Sequence, residues 1–195
     1  MTYKEISELI KSRQSLYPAQ MDSSKTIAEE DIWKLLELAN YAPNHKRTEP
    51  WRFTVFSGEA KKELFQELIR IYKTKNTAEN QNPALIQKLE DRADSLSHII
   101  TISVKRDEEE RIPVQEEEYA VACAVQNMLL AMDSLNIAGY WATPKMVFTE
   151  EFKSFLELGE KDVCMGFLQL GVKKANLEIP IKSRQSAIQS KVTWK

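Results

Sequence analysis

The sequence predicts a mixed fold, α+β or α/β, in which helices surround a small sheet. Three observations support this prediction. Residues 119–132 have the composition of a helix that is apolar almost all round, residues 163–172 form a near-continuous apolar strand typical of a sheet centre, and helix and strand patterns follow one another elsewhere. A length of 195 residues favours one domain, 1–195, with its own core.

Two amphipathic helices are predicted at the start of the chain. Residues 2–5 have capping-box spacing, and the apolar residues after them share one helical face, so the first helix extends to about the pentapeptide KSRQS at 11–15. The polar segment 18–25 predicts a loop. A second capping box at 26–29 precedes apolar residues at i, i+3, i+4 and i+7, which predicts a second helix that the next proline ends.

Two strands and two helices are predicted next. The aromatic and β-branched run WRFTVF predicts a strand at 51–56, which the following glycine ends. A helical pattern covers 64–72, and the dipeptide Asn-Pro predicts the N-terminus of another helix at 82–97. The run IITISV predicts a second strand at 99–104.

An acidic stretch and the apolar helix follow. The acidic residues at 107–110 and 116–118 are interpreted as a solvated loop and helix start, in preference to an interaction site. The apolar helix must be buried, either in the core or in an interface, and this favours an oligomer.

The last third of the chain predicts a strand at 139–143, a helix at 149–159 and the apolar strand. The tail, about 173–195, has no core of its own. We therefore expect it to pack on another surface, such as that of a partner subunit.

Composition excludes several classes of function. The net charge of -2 gives no field for non-specific nucleic-acid binding, and no apolar run approaches the length of a membrane span. The start of the chain lacks the apolar region of a signal peptide, so a cytoplasmic protein is expected. Two cysteines and two histidines, none of them clustered, predict reduced core thiols and no zinc site. Five glycines leave no dinucleotide-binding or P-loop signature.

No motif for side-chain catalysis is present either. A serine on a GxSxG elbow is missing, and the spacing of the many acidic residues selects no carboxylate pair. These absences favour chemistry supplied by a bound cofactor, which the protein needs only to bind and orient.

The pattern LLELANYAPNHKRTEPWRFTVF resembles the FMN-dependent nitroreductase family. In that family an amphipathic helix ends in Ala-Pro, a polar flavin-binding loop follows, and Gln-Pro-Trp-Arg-Phe opens a strand. Four further segments match in the family's order along nearly the full chain. They are Arg13-Gln14-Ser15, QNMLLA at 126–131, Gly139-Tyr140-Trp141 and GFLQLG at 166–171. The short length, and His45-Lys46 in the loop, are similar to the compact branch of the family.

The resemblance implies an α+β, three-layer fold with a small, mainly antiparallel sheet, assembled as an intertwined homodimer. It implies one FMN in each of two clefts at the interface, lined by residues of both subunits. It also implies a ping-pong reaction, in which NAD(P)H transfers a hydride to FMN N5 and a nitro compound, a quinone or a similar acceptor then takes the electrons. No catalytic side chain is required, because the chemistry takes place at FMN N5.

Cofactor-binding residues follow from the same resemblance. A phosphate favours a guanidinium and hydroxyl donors, which Arg13 and Ser15 offer at the end of the first helix. His45 matches a position that contributes to the flavin across the dimer, and residues 141–143 match the strand beside the isoalloxazine. A loop histidine bonded to backbone, and a tryptophan that is simply core, stay open as alternatives. The assigned residues are Arg13, Gln14, Ser15, His45, Arg47, Trp141, Ala142, Thr143, Lys182 and Arg184.

The pentapeptide KSRQS occurs a second time, at 182–186, just after the last predicted strand. Many members of the family carry a Lys or Arg there that reaches the same phosphate. Lys182 and Arg184 are therefore expected to close the phosphate site from the other end of the chain.

Two positions depart from the family pattern. Arg47 stands where Asn is usual, and Glu49 stands where Gln is usual before Pro50. A Glu49 that faced the flavin would oppose the charge of reduced FMN and lower its potential, whereas one that turned to Arg47 or Arg52 would be structural. The departures leave open a flavin-binding or sensor protein without efficient nitroreduction. A structural dimer without a cofactor is the third hypothesis.

Overall fold

The computed structural model describes residues 1–195 and confirms the α+β fold. A five-stranded antiparallel sheet lies between two layers of helices. The helices are α1 Tyr3–Ser12, α2 Glu29–Ala39, α3 Gly58–Lys75, α4 Pro83–Ser95, α5 Val114–Ala131 and α6 Glu150–Phe155. The strands are β1 Met21–Asp22, β2 Trp51–Ser57, β3 His98–Val104, β4 Ile137–Ala142 and β5 Val163–Lys173. None of the helices is both long and apolar enough to cross a membrane.

Strand β5 is the centre of the sheet. It pairs with both β3 and β4, while β2 pairs with β3 alone and the two-residue β1 pairs with the end of β5. Most residues of β5 are buried, because helices cover both faces of the sheet. This position explains why its sequence is apolar without the alternation of a half-exposed strand.

Two apolar cores, one on each face of the sheet, hold the three layers together. Ile100 and Ile102 of β3 pack with α2 and α5 on one face, and Ile99 packs with α3, α4 and α6 on the other. Successive residues of β3 thus enter different cores, as the two-residue period of a strand requires. The sheet carries the core contacts of every helix except α1.

The predicted order of helices and strands is confirmed, with one strand added. The first capping box forms, since Thr2 N donates to Glu5 Oε2 at 2.7 Å and Glu5 N donates to Thr2 Oγ1 at 3.3 Å. The segment 18–25, predicted as a loop, contains β1. Its two residues were too few to give a strand pattern in the sequence.

The capping box predicted at 26–29 is wrong. Helix α2 begins at Glu29, and its N-cap is Ala28, whose side chain cannot cap. The chain is still extended before this point, because the N–H of buried Ile27 donates to Ser97 Oγ at 2.8 Å. That tertiary contact fixes the helix start later than the local pattern indicates.

Helices α1 and α5 keep apolar surface that this chain leaves uncovered. Helix α1 has no buried residue, and its Ile6 and Ile10 are 42% and 51% exposed. Helix α5 buries one side against α2 and the sheet, while Tyr119 on another side is 66% exposed. One chain therefore does not bury α5 completely. Burial of its outer side in an interface between subunits stays a prediction.

The tail first follows its own chain and then becomes exposed. Lys174 Nζ donates to Ala19 O at 2.8 Å, and Ile179 packs against the core that contains α3. Residues 182–195 are all exposed, with Trp194 at 93%. Packing of this exposed part on a partner subunit stays a prediction.

Candidate functional site

A cavity of about 230 Å³ lies where the end of α1 meets β4, α5 and the tail. The backbone creates this junction, because Leu16 N donates to Gly139 O at 3.1 Å and so fixes the segment after α1 on β4. Leu129 of α5, Ile137 of β4 and Ile181 of the tail form part of its apolar wall. The cavity thus brings both ends of the chain together.

Arg13 and Gln14 of the predicted phosphate motif line this cavity. Gln14 Nε2 donates to Pro180 O at 3.1 Å, which connects the motif to the tail. Gln14 Oε1 is buried and has no hydrogen-bond partner. Because a buried acceptor without a donor is unfavourable, this oxygen offers a position for a donor group of a ligand. Ser15 is half-buried beside them but does not line the cavity.

Arg13 carries the unpaired charge of the cavity. The other lining cation, Lys173, donates to Asp133 Oδ1 at 2.6 Å, so these two charges compensate each other. The Arg13 guanidinium forms neither a hydrogen bond nor an ion pair within the chain. The cavity therefore has a net positive charge and free guanidinium donors, which suit an anion.

The end of β4 lies in close contact with β5. Trp141 Nε1 donates to Met165 O at 2.8 Å, and the partly buried indole packs against the core. Gly166 has a φ of 104°, and a Cβ there would stand 2.4 Å from Ala142 O. Only glycine is compatible with this approach. Ala142 is half-buried and Thr143, just beyond β4, is exposed.

A buried polar network supports β4 from the opposite side of the sheet. Tyr140 Oη donates to Gln169 Oε1 at 2.7 Å, and Arg92 Nη1 of α4 donates to the same oxygen at 2.9 Å. Burial raises the pKa of the Tyr140 phenol. The Tyr17 ring lies 4.7 Å from the Tyr140 ring, between centroids. Since Tyr17 follows the Arg13 motif closely, this network helps to fix the motif beside β4.

The predicted flavin loop, 44–49, has an unusual backbone. Lys46, Arg47 and Glu49 have φ values of 50°, 54° and 43°. Non-glycine residues rarely adopt this left-handed region, because Cβ comes close to the backbone there. Three such residues within one short loop require contacts from elsewhere to hold them.

Those contacts come from the first turn of α5 and from the segment just before it. His45 Nδ1 lies 2.6 Å from Glu116 Oε2, and Lys46 Nζ donates to Arg111 O at 3.0 Å. His45 is therefore bound through its ring to a carboxylate and not to the backbone, and its contribution to the flavin stays a prediction. Arg47, the next residue along the loop, is exposed and forms no ion pair.

The acidic stretch before and within α5 is ordered by ion pairs and hydrogen bonds. Glu117 is fully buried, where it forms an ion pair with Arg106 and accepts from Asp107 N at 3.0 Å. Arg111 donates twice to the Asp107 carboxylate, at 2.9 and 2.8 Å, and this pairing lowers the pKa of Asp107 to about 2. The interpretation of this stretch as a solvated loop and helix start is wrong for Glu117.

Glu49 is not held by either neighbouring arginine. Arg52 Nη1 donates to the backbone oxygens of Glu49 and Trp51, at 2.9 and 2.7 Å. The Glu49 carboxylate forms no ion pair with Arg47 or Arg52, and the residue is exposed. The ion pair that would have made this carboxylate structural is therefore not formed. That Glu49 faces the flavin stays a prediction.

The structure brings only part of the predicted site together within one chain. Arg13 and Gln14 share a cavity with the first half of β4; Trp141 and Ala142 end that strand, and Thr143 lies just beyond it. His45 and Arg47 lie in the loop beside the start of α5 and do not line this cavity. The tail cations Lys182 and Arg184 are exposed, but Ile181 directly before them does line it.

The sequence did not indicate Glu116 as a residue of this region, and it indicated Gly166 only as part of the GFLQLG segment. Gly166 had a signal, since a glycine inside an apolar strand often marks a close approach of another backbone. Glu116 had none, because its contact with His45 joins positions 71 residues apart.

Comparison with known proteins gives the same family from sequence and from structure. The sequence model of the nitroreductase family matches residues 10–172. YdjA of Escherichia coli (strain K12), provisionally named an NAD(P)H nitroreductase, is 26% identical over 142 residues, which cover 73% of this chain and 75% of YdjA.

Two solved structures share the fold. A nitroreductase-like family protein from Bacillus cereus matches with a TM-score of 0.82 and 23% identity, over 100% of this chain and 98% of that one. A protein of Desulfovibrio desulfuricans, provisionally named a nitroreductase and crystallised in complex with FMN, matches with a TM-score of 0.71 and 17% identity, again over 100% and 98%. The family's sequence model covers well over half of this chain, and the chain therefore belongs to the nitroreductase family.

Proposed function

We propose that this protein is an FMN-dependent NAD(P)H oxidoreductase that reduces a nitro compound, a quinone or a similar acceptor. Membership of the nitroreductase family supports the reaction class. The name of YdjA supports NAD(P)H as electron donor, and the FMN complex of the Desulfovibrio desulfuricans protein supports FMN as cofactor.

The observation that carries the proposal is the pairing of a free cation with a free acceptor in one cavity. Arg13 has no partner in the chain, and Gln14 Oε1 beside it is buried without a donor. FMN carries the complementary groups next to each other, a phosphate and the hydroxyls of its ribityl chain. The residues present therefore fit this part of FMN, with Arg13 on the phosphate and Gln14 Oε1 accepting from a ribityl hydroxyl.

The protein's part in the reaction is binding and orientation. Bound FMN would supply the hydride chemistry between NAD(P)H and the acceptor. Trp141, fixed by its bond to Met165 O, provides a rigid wall at the end of β4, and Gly166 allows the backbones of β4 and β5 to approach each other closely there. The exposed carboxylate of Glu49 would place negative charge near the flavin and so disfavour its anionic reduced form.

We further propose that the working unit is a homodimer. A cavity of about 230 Å³ is smaller than the usual pocket of about 300–1,000 Å³ for a ligand of this size, so further walls are needed. The uncovered apolar residues of α1 and α5 offer a surface for a second copy. His45 and Arg47, which do not line the cavity of their own chain, would then contribute to the partner's cleft.

A visible spectrum of the purified protein tests cofactor binding directly. A flavin absorption band that denaturation releases as FMN supports the proposal, whereas a protein that stays colourless after FMN is added contradicts it. Bleaching by NADH or NADPH under nitrogen, followed by reoxidation with a nitroaromatic compound, distinguishes the oxidoreductase from a flavin-binding or sensor protein.

Arg13→Ala tests the phosphate contact. Loss of a charge-assisted contact of about 1.5–3 kcal/mol should raise the Kd for FMN about tenfold to a hundredfold. Riboflavin lacks the phosphate, so its affinity should change little in the same variant. Arg13→Lys, which keeps a charge, should lie between the wild type and Arg13→Ala. Equal FMN affinity in the wild type and Arg13→Ala would refute this assignment.

A further inference from the structure

The loop that carries His45 and Arg47 is held in place by contacts with other segments of the chain. Within the loop, Thr48 N donates to His45 O at 3.3 Å and Glu49 N donates to Asn44 Oδ1 at 3.1 Å. These local bonds do not reach the side chain of His45. The His45 ring has one partner in the chain, the Glu116 carboxylate, with Nδ1 and Oε2 2.6 Å apart.

Glu116 is itself fixed by its neighbours along the chain. The next residue, Glu117, is fully buried and paired with Arg106, and Arg106 Nη2 donates to Ile112 O at 2.6 Å. These bonds fix the first turn of α5 against the segment before it. A carboxylate on that turn has a defined position, unlike one on an exposed mobile loop.

We infer that Glu116 is a positioning residue, which holds His45 and the strained loop 44–49 in the conformation that contacts the flavin. This inference rests on the proposed function for its purpose, although the contact itself is within one chain. Because Nδ1 is bound to Glu116, the ring nitrogen Nε2 is left for a ligand. Lys46, which donates to Arg111 O, adds a second attachment on the same side of the loop.

The alternative for Glu116 is a purely structural role at the start of α5, as an acidic residue in the first helical turn. Glu118 provides the matched comparison, since it is an acidic residue two positions further on whose side chain forms no hydrogen bond or ion pair. A general effect of removing negative charge from this helix end would be the same for Glu116→Ala and Glu118→Ala. An effect through His45 would be confined to Glu116.

The test combines trypsin cleavage with FMN binding, both on the full chain. Without added FMN, Glu116→Ala should increase the rate of cleavage after Lys46 or Arg47, followed by mass spectrometry, about twofold to fivefold. The same variant should raise the Kd for FMN by a similar factor. Glu118→Ala should match the wild type in both assays, and Glu116→Gln, which keeps an oxygen acceptor for Nδ1, should recover most of the loss.

A double-mutant cycle separates positioning from general destabilisation. If Glu116 acts through His45, then His45→Ala combined with Glu116→Ala should be no worse than His45→Ala alone, in cleavage and in FMN affinity. Additive effects, or equal behaviour of Glu116→Ala and Glu118→Ala, would overturn the inference. If the wild type fails to bind FMN, the proposed function is wrong, while the cleavage cycle still decides whether Glu116 holds the loop.

Discussion

Among the glycines, Gly166 is the one at which this fold tolerates least change. Its φ of 104° is unfavourable for any other residue, and a Cβ there would lie 2.4 Å from the Ala142 backbone oxygen and 3.0 Å from Trp141 Nε1. Backbone atoms cannot move aside as a flexible side chain can. The consequence reaches the candidate site, because the end of β4 would have to shift.

Gly166→Ala is therefore expected to destabilise the protein by at least about 2 kcal/mol, from backbone strain together with overpacking. Urea denaturation of purified protein measures this free energy of unfolding. Gly159→Ala is the matched control, since the nearest atom to its Cβ would be the Asp162 carboxylate at 3.1 Å, the far end of a side chain. A loss in Gly166→Ala no larger than in Gly159→Ala would contradict the steric argument.

Single residues also show how far the sequence could predict the site. Arg13 and Gln14 were predicted from a motif and do line one cavity, because they directly follow a helix whose end is fixed by the fold. The partners of these residues could not be predicted. Gln14 contacts Pro180 from the far end of the chain, and His45 contacts Glu116 on another element. Such contacts depend on tertiary packing, for which local sequence carries no periodic signal.

Among the elements, α1 depends most on something outside this chain. It has no buried residue, yet its sequence has a pronounced apolar face that contains Ile6 and Ile10. A helix of ten residues is marginal by itself in water, so an uncovered apolar face needs a partner surface. The proposed dimer offers that surface.

Ile10→Asp is expected to raise the dissociation constant of the homodimer at least about a hundredfold, because a charge would be buried in the interface. Sedimentation velocity over a range of protein concentrations measures it. Glu8→Gln is the control. Glu8 lies on the opposite, polar face of the same helix, and its substitution also changes the charge by one unit. If Ile10→Asp dimerises as tightly as Glu8→Gln, α1 does not lie in the interface.

The sequence predicted the long elements well. Helices α3 and α5 and strand β5 extend over 18, 18 and 11 residues, so a helical or an apolar pattern has many residues to show itself. The two residues of β1 are too few to form such a pattern. The start of α2 was also missed, since the bond between Ile27 N and Ser97 Oγ overrides the local capping preference.

At the scale of the whole molecule, the two ends of the chain meet at the candidate site. The cavity is lined by Arg13 just after the first helix and by Ile181 after the last strand. Neither end contributes to the central sheet at this point. The sheet and its two cores therefore form a scaffold, and the site is assembled on it from terminal segments and, in the proposed dimer, from a second copy.

The exposed tail cations give the test of that arrangement. Lys182 follows Ile181 directly and Arg184 lies two residues further on, so we expect the tail to bring both cations to an anion held by Arg13. The double substitution Lys182→Ala with Arg184→Ala should raise the Kd for FMN about tenfold and leave riboflavin affinity unchanged, because only the phosphate contact is lost. The control is Lys191→Ala with Lys195→Ala, which removes the same charge further along the same exposed tail. Fluorescence titration at two salt concentrations measures both ligands. If both double variants weaken FMN binding equally, the tail acts only through its overall charge; if neither does, it does not reach the phosphate.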